Sequence, residues 1–238
     1  TDFPVEQALI LFDIDGTLLR SGGAGQAAME RALDSVFGVT APTEGISAAG
    51  RTDFAITSDL LDFHGLENTG ENRKRFLDGY LSFLNEELAT REGLILPGVT
   101  EILADLTQRS TVHLGLLTGN LQQGAAVKLA HYDLAGHFSF GGFGDDHHSR
   151  DDVARAAAAD AKQKLQRNPD STWVIGDTPA DVQCGRAIGA TVVAVATGIY
   201  SAEALSDAEP DYLFEDFSDV ELVLSILPGE PPRKANDR

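Results

Sequence analysis

The sequence predicts an α/β fold in which a doubly wound parallel sheet forms the core and an α-helical cap domain is inserted into it. Two observations predict this fold. Short apolar runs that end at Asp, Thr or Gly alternate with helical patterns, which is typical of a parallel sheet covered by helices on both faces. One interval between successive apolar runs is far longer than a crossover helix needs, and that surplus indicates an inserted domain.

Four strands of the core follow from the apolar runs, which lie at residues 8–12, 112–117, 173–175 and 191–196. The helical patterns of the core lie at residues 98–108, 121–129, 151–166 and 179–188. Sheets of this kind bind their ligands at the carboxyl ends of the strands. Because the polar residues of this sequence follow those strand ends, we expect a Rossmann-like core with its site there.

The insert fills the interval between the first two strands. A strand, a crossover helix and the next strand need about 30 residues, whereas residues 21–93 alone are more than twice as many. Apolar side chains recur there at helical spacing in three stretches, and the joints at residues 20–25 and 92–98 have the Gly and Pro content of hinges. We expect a core of residues 1–20 and 94–230, a helical cap domain of residues 21–93, and a loose tail at residues 231–238.

Composition narrows the choice of partners. The 238 residues include 37 acidic and 18 basic side chains, which gives a formal net charge of −19. Nucleic acid is a poor partner for such a surface, because phosphate backbones select clustered Lys and Arg. The single cysteine, Cys184, allows neither an internal disulfide nor a thiolate metal site, so we expect an inert thiol and a cytoplasmic protein. No apolar run approaches the length of a membrane span. We expect a small-molecule partner, no membrane partner, and a monomer or small homo-oligomer.

Two aspartates directly follow the first strand. Asp13 and Asp15 are one residue apart, and Gly16 then allows the chain to turn. Alternate residues of an extended segment share a face, so both carboxylates can point into one cleft. Carboxylates so close repel each other unless a cation or a proton lies between them. A lone pair of this kind is more often part of a solvated loop, and a second acidic element is needed to favour a metal site.

That second element follows the third strand and contains Asp177 and Asp181. If the two strands are neighbours in a parallel sheet, Asp177 lies close to Asp13 and Asp15. Three carboxylates with an open side suit Mg²⁺, which prefers hard oxygen ligands and also binds substrate phosphate. As an alternative, Asp177 only caps the helix that begins at Pro179. Acidic residues at two strand ends favour the metal site.

Phosphate binding has separate candidates. Thr118, Gly119 and Asn120 end a strand and open a helix, so a hydroxyl and backbone N–H groups meet at a positive helix terminus. A cation is also needed to hold a phosphate among so many acids. Arg150 is favoured over Lys128, because Lys128 lies deeper in a helix that is predicted to point away from the cleft.

Weaker signals come from two other segments. His147 and His148 stand beside two aspartates, but neighbouring loop residues rarely aim at one point, so we expect a solvated loop rather than a metal site. In the insert, Arg51 is the only cation of the segment GISAAGRTD. Arg51 is either a specificity residue for a substrate with a second anionic group or part of an exposed helix start that Thr52 or Asp53 caps.

Taken in order, these motifs resemble those of the haloacid dehalogenase-like hydrolase superfamily, and their arrangement is similar to that of its phosphoglycolate phosphatase-type members. The motifs are LFDIDGTLL, LLTGN, a Lys or Arg position filled by Arg150, and VIGDTPADV. The resemblance covers about residues 8–227, and the insert matches the family's helical cap domain. It implies that Thr118 and Arg150 bind phosphoryl oxygens. Many of these phosphatases have Lys followed by Pro where this chain has Arg150 and Asp151.

The resemblance implies a Mg²⁺-dependent phosphatase that hydrolyses a small phosphorylated metabolite, either phosphoglycolate-like or a sugar phosphate, through an aspartyl phosphate. Asp13 would be the nucleophile, and Asp15 would act as general acid and base. Asp13, the backbone carbonyl of Asp15, and Asp177 would hold the Mg²⁺ ion. Asp181 would orient the ligands of that ion from behind.

Two other functions remain open from sequence. A phosphosugar mutase of the same superfamily shares the aspartyl phosphate but returns the phosphoryl group to its substrate. A phosphoacceptor signalling module also phosphorylates an aspartate on Mg²⁺, but it lacks both a cap and an acid two residues beyond the nucleophile. Dehalogenation is disfavoured, because that branch has no carboxylate at the position of Asp15.

Overall fold

The computed structural model describes residues 6–40 and 46–230, so the tail predicted at residues 231–238 lies outside the described residues. The strands are β1 (Ala8–Phe12), β2 (Leu19–Arg20), β3 (Leu94–Ile95), β4 (Val112–Leu117), β5 (Gly141–Gly142), β6 (Ser171–Gly176), β7 (Thr191–Val195) and β8 (Tyr212–Phe214). The helices are α1 (Ala24–Phe37), α2 (Asp53–Phe63), α3 (Gly70–Thr90), α4 (Val99–Gln108), α5 (Gln122–His131), α6 (Arg150–Leu165), α7 (Pro179–Ala187), α8 (Ala202–Ser206) and α9 (Val220–Ile226).

Six of these strands form one parallel sheet in the order β5-β4-β1-β6-β7-β8. Strand β1 lies in the middle, and its last residue, Phe12, is level with Leu116 of β4 and Ile175 of β6. The three strands therefore end side by side. This register brings the segments that follow them, which begin at Asp13 and Asp177 and include Thr118, to one edge of the sheet.

Both faces of the sheet are buried, as the continuous apolar run of β1 predicts for a central parallel strand. Ile10 and Phe12 face a cluster that includes residues of α4 and α9. Leu9 and Leu11 face a second cluster, which includes the small side chains of α6. The predicted doubly wound α/β core is confirmed. None of the helices in the described ranges is long and apolar enough to cross a membrane.

Helices α1–α3 pack mainly against one another. Their buried residues form a separate hydrophobic cluster, in which Leu33, Leu60 and Phe76 each represent one helix. Leu121, just before α5, also joins this cluster and connects it to the core. These contacts support the proposal that residues 21–93 are a cap domain over the sheet edge, and the name cap is used below for α1–α3 and the segments between them.

A short antiparallel ladder joins the two connections between core and cap. Leu19 is paired with Ile95, and Arg20 with Leu94. The sequence indicates hinges in these segments but not their pairing, because two-residue strands have no recognisable hydrophobic alternation. The ladder holds the outgoing and returning chains side by side, and the guanidinium of Arg20 donates to the backbone carbonyl of Thr197 in the core.

Candidate active site

A cavity of about 840 Å³ lies between the strand ends and the cap. Its lining contains all but one of the residues that the sequence predicts to act in the site: Asp13, Asp15, Arg51, Thr118, Gly119, Asn120, Arg150 and Asp177. The exception is Asp181, which is buried behind that lining. Lys128 also lines the cavity.

Three buried carboxylates lie close together at the candidate metal site. Oxygen atoms of Asp13, Asp177 and Asp181 all lie within 4.8 Å of one another. Burial raises the pKa of Asp13 to about 7 against the opposing charge of Arg150, and it raises the pKa of Asp177, which also faces Asp13 and Asp181, to about 9. A divalent cation would supply the missing counter-charge, and a set of carboxylate oxygens fits a hard ion such as Mg²⁺.

The position of Asp177 depends on the turn after β1. The hydroxyl of Thr17 donates to Oδ1 of Asp177 over 3.1 Å. Gly16 has a φ of +86°, and a Cβ atom at this position would lie 2.4 Å from Oδ2 of Asp177. Only glycine satisfies both the left-handed backbone and the close approach of the carboxylate. The Gly of the DIDGT segment is therefore needed both for the turn and for the metal site.

Asp181 is held entirely by protein groups. It lies in the first turn of α7, where Oδ2 accepts hydrogen bonds from the backbone N–H of Thr178 over 3.0 Å and from its hydroxyl over 2.6 Å. Its other oxygen, Oδ1, accepts a hydrogen bond from Arg150. These bonds suit a residue that orients its neighbours. Thr178 is the N-cap of α7, so the alternative in which Asp177 only caps this helix is wrong.

Arg150 joins the nucleophile candidate to Asp181. It is the first residue of α6 and is buried, with Nη1 lying 3.3 Å from Oδ1 of Asp13 and Nη2 donating to Asp181 and to the carbonyl of Leu117. Although burial disfavours its charge, the carboxylates of Asp181 and Asp13 hold the pKa of Arg150 above its usual value. Its Nε is buried and has no hydrogen-bond partner among the described residues.

The prediction that Lys128 points away from the cleft is wrong. Its ammonium group lies 2.6 Å from Oδ2 of Asp15 and 2.7 Å from Oδ1 of Asn120, and the side chain is almost fully buried. The buried residues of α5 include Gly124 and Ala125 as well as Lys128. Positions three and four residues apart share a helix face. This spacing is the signal in the sequence that could have placed Lys128 in the cleft.

Asn120 connects the predicted phosphate-binding segment to Asp15. Its side-chain amide donates to Oδ2 of Asp15 and to the hydroxyl of Thr118, in each case over 2.8 Å. Oδ2 of Asp15 therefore accepts hydrogen bonds from Asn120 and Lys128. The sequence predicts Asn120 as a phosphate-binding residue but does not predict its contact with Asp15, because the two residues are 105 positions apart.

The start of α2 docks directly on the core. The backbone N–H of Asp53 donates to the carbonyl of Gly119 over 2.7 Å, and the Asp53 carboxylate accepts from the N–H of Leu121 over 2.8 Å. A Cβ atom on Gly119 would lie 1.8 Å from the carbonyl oxygen of Arg51, so glycine permits this approach. Burial raises the pKa of Asp53 to about 6. Thr52 is the N-cap of α2, which leaves the Asp53 side chain free to bind the core.

Arg51 and His148 each have a partner outside the acidic cluster. The guanidinium of Arg51 lies 2.6 Å from a carboxylate oxygen of Asp59 and 3.2 Å from the carbonyl of Ser47, so its charge is paired within the cap. The ring of His148 packs edge-on against Phe54 at 4.5 Å. Within the described ranges, the cluster of side chains that could hold a metal ion consists of Asp13, Asp177 and Asp181. It includes neither His147 nor His148.

Buried carboxylates, a buried arginine and a buried lysine thus meet at the carboxyl edge of a parallel sheet, beneath a helical cover. This fold and site define an enzyme of the class that transfers or hydrolyses phosphoryl groups. The family model of the haloacid dehalogenase-like hydrolases matches residues 8–189, and the chain belongs to this family.

The chain is also similar in sequence to proteins named phosphoglycolate phosphatase. A phosphoglycolate phosphatase of Salmonella paratyphi A is 26% identical over 245 aligned positions, which cover 96% of each chain. A phosphoglycolate phosphatase of Synechococcus elongatus is 28% identical over 217 positions, 89% of this chain and 94% of its own. Both relatives align along nearly the whole chain, cap included.

Solved structures share the fold. A predicted phosphoglycolate phosphatase from Haemophilus somnus superposes with a TM-score of 0.70 at 21% identity, covering 93% of this chain and all of its own. A predicted β-phosphoglucomutase from Bacteroides vulgatus gives a TM-score of 0.67 at 21% identity, covering 92% of this chain and 88% of its own. At this identity the two structures establish the fold alone.

Proposed function

We propose that this phosphatase of the haloacid dehalogenase-like family is Mg²⁺-dependent and hydrolyses small phosphomonoesters through an aspartyl phosphate on Asp13. One observation carries the proposal. Asp13, at the end of the central strand, has its carboxylate oxygen within reach of both Asp177 and the Arg150 guanidinium. A nucleophile, a metal ligand and an anion-binding cation are thereby grouped around one point of the cavity.

Asp13, Asp177 and the backbone carbonyl of Asp15 are the groups proposed to hold Mg²⁺. When bound, the ion would neutralise charge on the transferring phosphoryl group and on the carboxylates themselves. Asp181 does not need to bind the ion, because its oxygens already accept hydrogen bonds from Thr178 and Arg150. It orients Arg150, and through Arg150 it orients Asp13.

Asp13 and Asp15 carry the two chemical steps. A carboxylate oxygen of Asp13 attacks phosphorus, the bond from phosphorus to the ester oxygen breaks, and protonated Asp15 gives its proton to the departing alkoxide. In the second step Asp15 removes a proton from water, which attacks phosphorus and releases inorganic phosphate from Asp13. Lys128 and Asn120 hold Oδ2 of Asp15, so its other oxygen is left for this proton transfer.

The remaining groups bind the phosphoryl oxygens. Arg150 is the proposed cation, since its Nε has no hydrogen-bond partner in the described part of the chain and its guanidinium already contacts Asp13. The hydroxyl of Thr118 and the backbone at Gly119 and Asn120 line the same part of the cavity, just before the N-terminus of α5. Lys128 is a second cation within this network and is proposed to position Asp15.

The relatives are named phosphoglycolate phosphatases, which supports phosphomonoester hydrolysis as the reaction of this chain. A phosphosugar mutase would use the same carboxylates, and a fold neighbour is described as a predicted β-phosphoglucomutase. The two functions differ in the product, because a phosphatase releases inorganic phosphate whereas a mutase returns an isomeric sugar phosphate.

The direct test is phosphate release from p-nitrophenyl phosphate with EDTA, and then with Mg²⁺ in excess over EDTA. We expect no release with EDTA and recovery with Mg²⁺. Ca²⁺ is the matched control and should recover little, because its larger and looser ligand sphere does not reproduce the octahedral geometry of Mg²⁺. Full activity in EDTA would rule out the proposed metal dependence.

A further inference from the structure

We propose that the substrate of this site is a phosphomonoester of an apolar alcohol. Its aliphatic or aromatic tail lies against the cap side of the cavity and extends to the cavity mouth. This inference rests on the proposed phosphatase function and concerns only the leaving group. It follows from the lining of the cavity away from the carboxylates.

Part of the wall that the cap gives to the cavity is apolar. Each of the three cap helices contributes to it, with Met29 from α1, Ile56 and Leu60 from α2, and the ring of Tyr80 from α3. These side chains are nearly buried and belong to the hydrophobic cluster of the cap. Apart from the phenol oxygen of Tyr80, these side chains contain no hydrogen-bonding group, which favours an apolar group over a hydrated one beside this part of the wall.

The mouth of the cavity, defined here by Ile46, Ala48, Ala49 and Ile199, is apolar as well. The first three come from the cap segment before α2, and Ile199 comes from the core after β7. Ile199 is 75% exposed and is absent from the hydrophobic clusters that the described residues form. An apolar tail lying here would cover this side chain and remove its surface from water.

Cations near the cavity are already paired. Arg150 and Lys128 are bonded to the catalytic carboxylates, and the guanidinium of Arg20 is bonded to the carbonyl of Thr197. Arg51 is bonded to Asp59. Arg20 is thus the only lining cation of the described residues without a carboxylate partner, and two of its guanidinium nitrogens are already bonded to the carbonyl of Thr197. Little positive charge is left on the cap side to receive a second anionic group of the substrate.

Two of the polar side chains on the cap side are occupied in the same way. Gln26 donates to Glu30, and the Asp53 carboxylate accepts from the N–H of Leu121. A sugar would need several hydrogen-bonding partners at this point, since buried hydroxyls without partners are costly. The volume of about 840 Å³ is also in the range that holds a drug-sized ligand rather than a two-carbon acid.

The test is a series of n-alkyl phosphates from ethyl to hexyl, assayed with Mg²⁺ beside phosphoglycolate and p-nitrophenyl phosphate. Their alcohols have nearly the same basicity, so a trend along the series reports binding of the tail and not leaving-group chemistry. We expect kcat/KM to rise about two- to fourfold with each added methylene. Hexyl phosphate should exceed phosphoglycolate by at least about tenfold.

Two variants locate the tail. Ile199→Ser should flatten the chain-length trend, so that its loss of kcat/KM is larger for hexyl phosphate than for ethyl phosphate. Leu222→Ser is the matched control, because Leu222 is 50% exposed on α9 and does not line the cavity. The control should keep the full trend. An equally steep trend in Ile199→Ser would overturn the placement of the tail at this mouth.

The outcomes separate this inference from the function on which it rests. A flat or falling series, with p-nitrophenyl phosphate still hydrolysed, would overturn the apolar tail and leave the phosphatase function intact. Turnover of phosphoglycolate above that of hexyl phosphate would do the same. Absence of Mg²⁺-dependent hydrolysis with every ester would overturn the proposed function and the inference together.

Discussion

The ammonium group of Lys128 lies 2.6 Å from Oδ2 of Asp15, although the two residues are 113 positions apart in the chain. Because of this contact, we propose separate tasks for the two buried cations of the site. Arg150 contacts the proposed nucleophile Asp13, and Lys128 contacts Asp15, the proposed acid and base. Their removal should therefore affect different steps.

Arg150→Ala should lower kcat/KM for all esters by far more than Lys128→Ala, and Arg150→Lys should recover only part of the loss because the planar guanidinium fork is missing.

Lys128→Ala should lower kcat/KM by about tenfold, near 1.4 kcal/mol, for alkyl phosphates, whose alkoxides need a proton from Asp15. It should change little for p-nitrophenyl phosphate. Steady-state kinetics on both ester types checks this, and a larger uniform loss in Lys128→Ala would make Lys128 the phosphate-binding cation.

The raised pKa values of Asp13 and Asp177 predict how the stability of the protein and its affinity for Mg²⁺ change with pH. In the metal-free protein the pKa of Asp13 is raised from 3.8 to about 7, and that of Asp177 is raised from 3.8 to about 9. The folded protein therefore keeps protons on these carboxylates at pH values where the unfolded chain has already released them. Their contribution to stability is complete at low pH and is lost as pH rises through the raised pKa values. The melting temperature of the metal-free protein should thus fall as the pH rises from about 4 to about 9.

Mg²⁺ should reverse this fall, because its charge compensates the ionised carboxylates. Since the ion must displace protons, its affinity should decrease as the solution becomes more acidic. Thermal unfolding with and without Mg²⁺, across pH, checks both trends. In Asp177→Asn the loss of stability with rising pH and the Mg²⁺ rescue should both shrink, and an unchanged Mg²⁺ effect in that variant would remove Asp177 from the metal site.

Asp53 provides a second pH test away from the metal ligands. Burial raises its pKa to about 6, against the attraction of Lys128 and with added repulsion from Asp15 and Asp145. A raised pKa means that the ionised form costs stability, and the full cost, about 3 kcal/mol, is reached above the folded-state pKa. Relative to Asp53→Asn, the wild type should therefore lose stability between about pH 4 and pH 7.

The measurement is the free energy of unfolding of both proteins by urea at a series of pH values. Asp78→Asn, on the exposed face of α3, is the control and should show no such difference, because Asp78 is paired with Lys74 at the surface. If the free energy of unfolding changes with pH in parallel for the wild type and Asp53→Asn, the conclusion that burial raises the pKa of Asp53 is contradicted.

Arg51 is expected to act together with Asp59. The pair holds the cap segment whose apolar residues line the cavity mouth, so Arg51→Ala and Asp59→Ala should each reduce the turnover of long alkyl phosphates by about two- to fivefold. The double variant should lose no more than either single one. The sequence-based expectation differs, because a free Arg51 would bind a second anionic group. In that case Arg51→Ala alone would lower phosphoglycolate turnover by about tenfold or more, near 1.4 kcal/mol.

The core of the fold could be predicted because its signals are local and continuous. The apolar runs at residues 8–12 and 112–117 are strands with those bounds. The register of a parallel sheet then brings Asp13 and Asp177 together, so an argument from strand ends alone predicts the acidic cluster that could hold a metal ion. The helix bounds differ from the predicted ones by one or two residues, as they do where α6 begins at Arg150 instead of its neighbour.

The parts that the sequence did not predict depend on packing between distant segments. Lys128 faces the cleft because the buried side of α5 is chosen by its contacts with the sheet and the cap, and a lysine is normally assigned to the outer face. Asp53 binds the core only because α2 docks on the segment around Gly119. The partners of Arg51 likewise become visible only when the cap segment is folded.

The most direct test of the central claim is a single turnover of radiolabelled p-nitrophenyl phosphate with Mg²⁺, stopped in acid and followed by peptide mass spectrometry. The phosphoryl group should be found on the peptide that contains Asp13 and should map to that residue. It should decay at a rate compatible with turnover, and Asp13→Asn should not be labelled. Turnover of the ester with no covalent label, or with the label on another residue, would contradict the account.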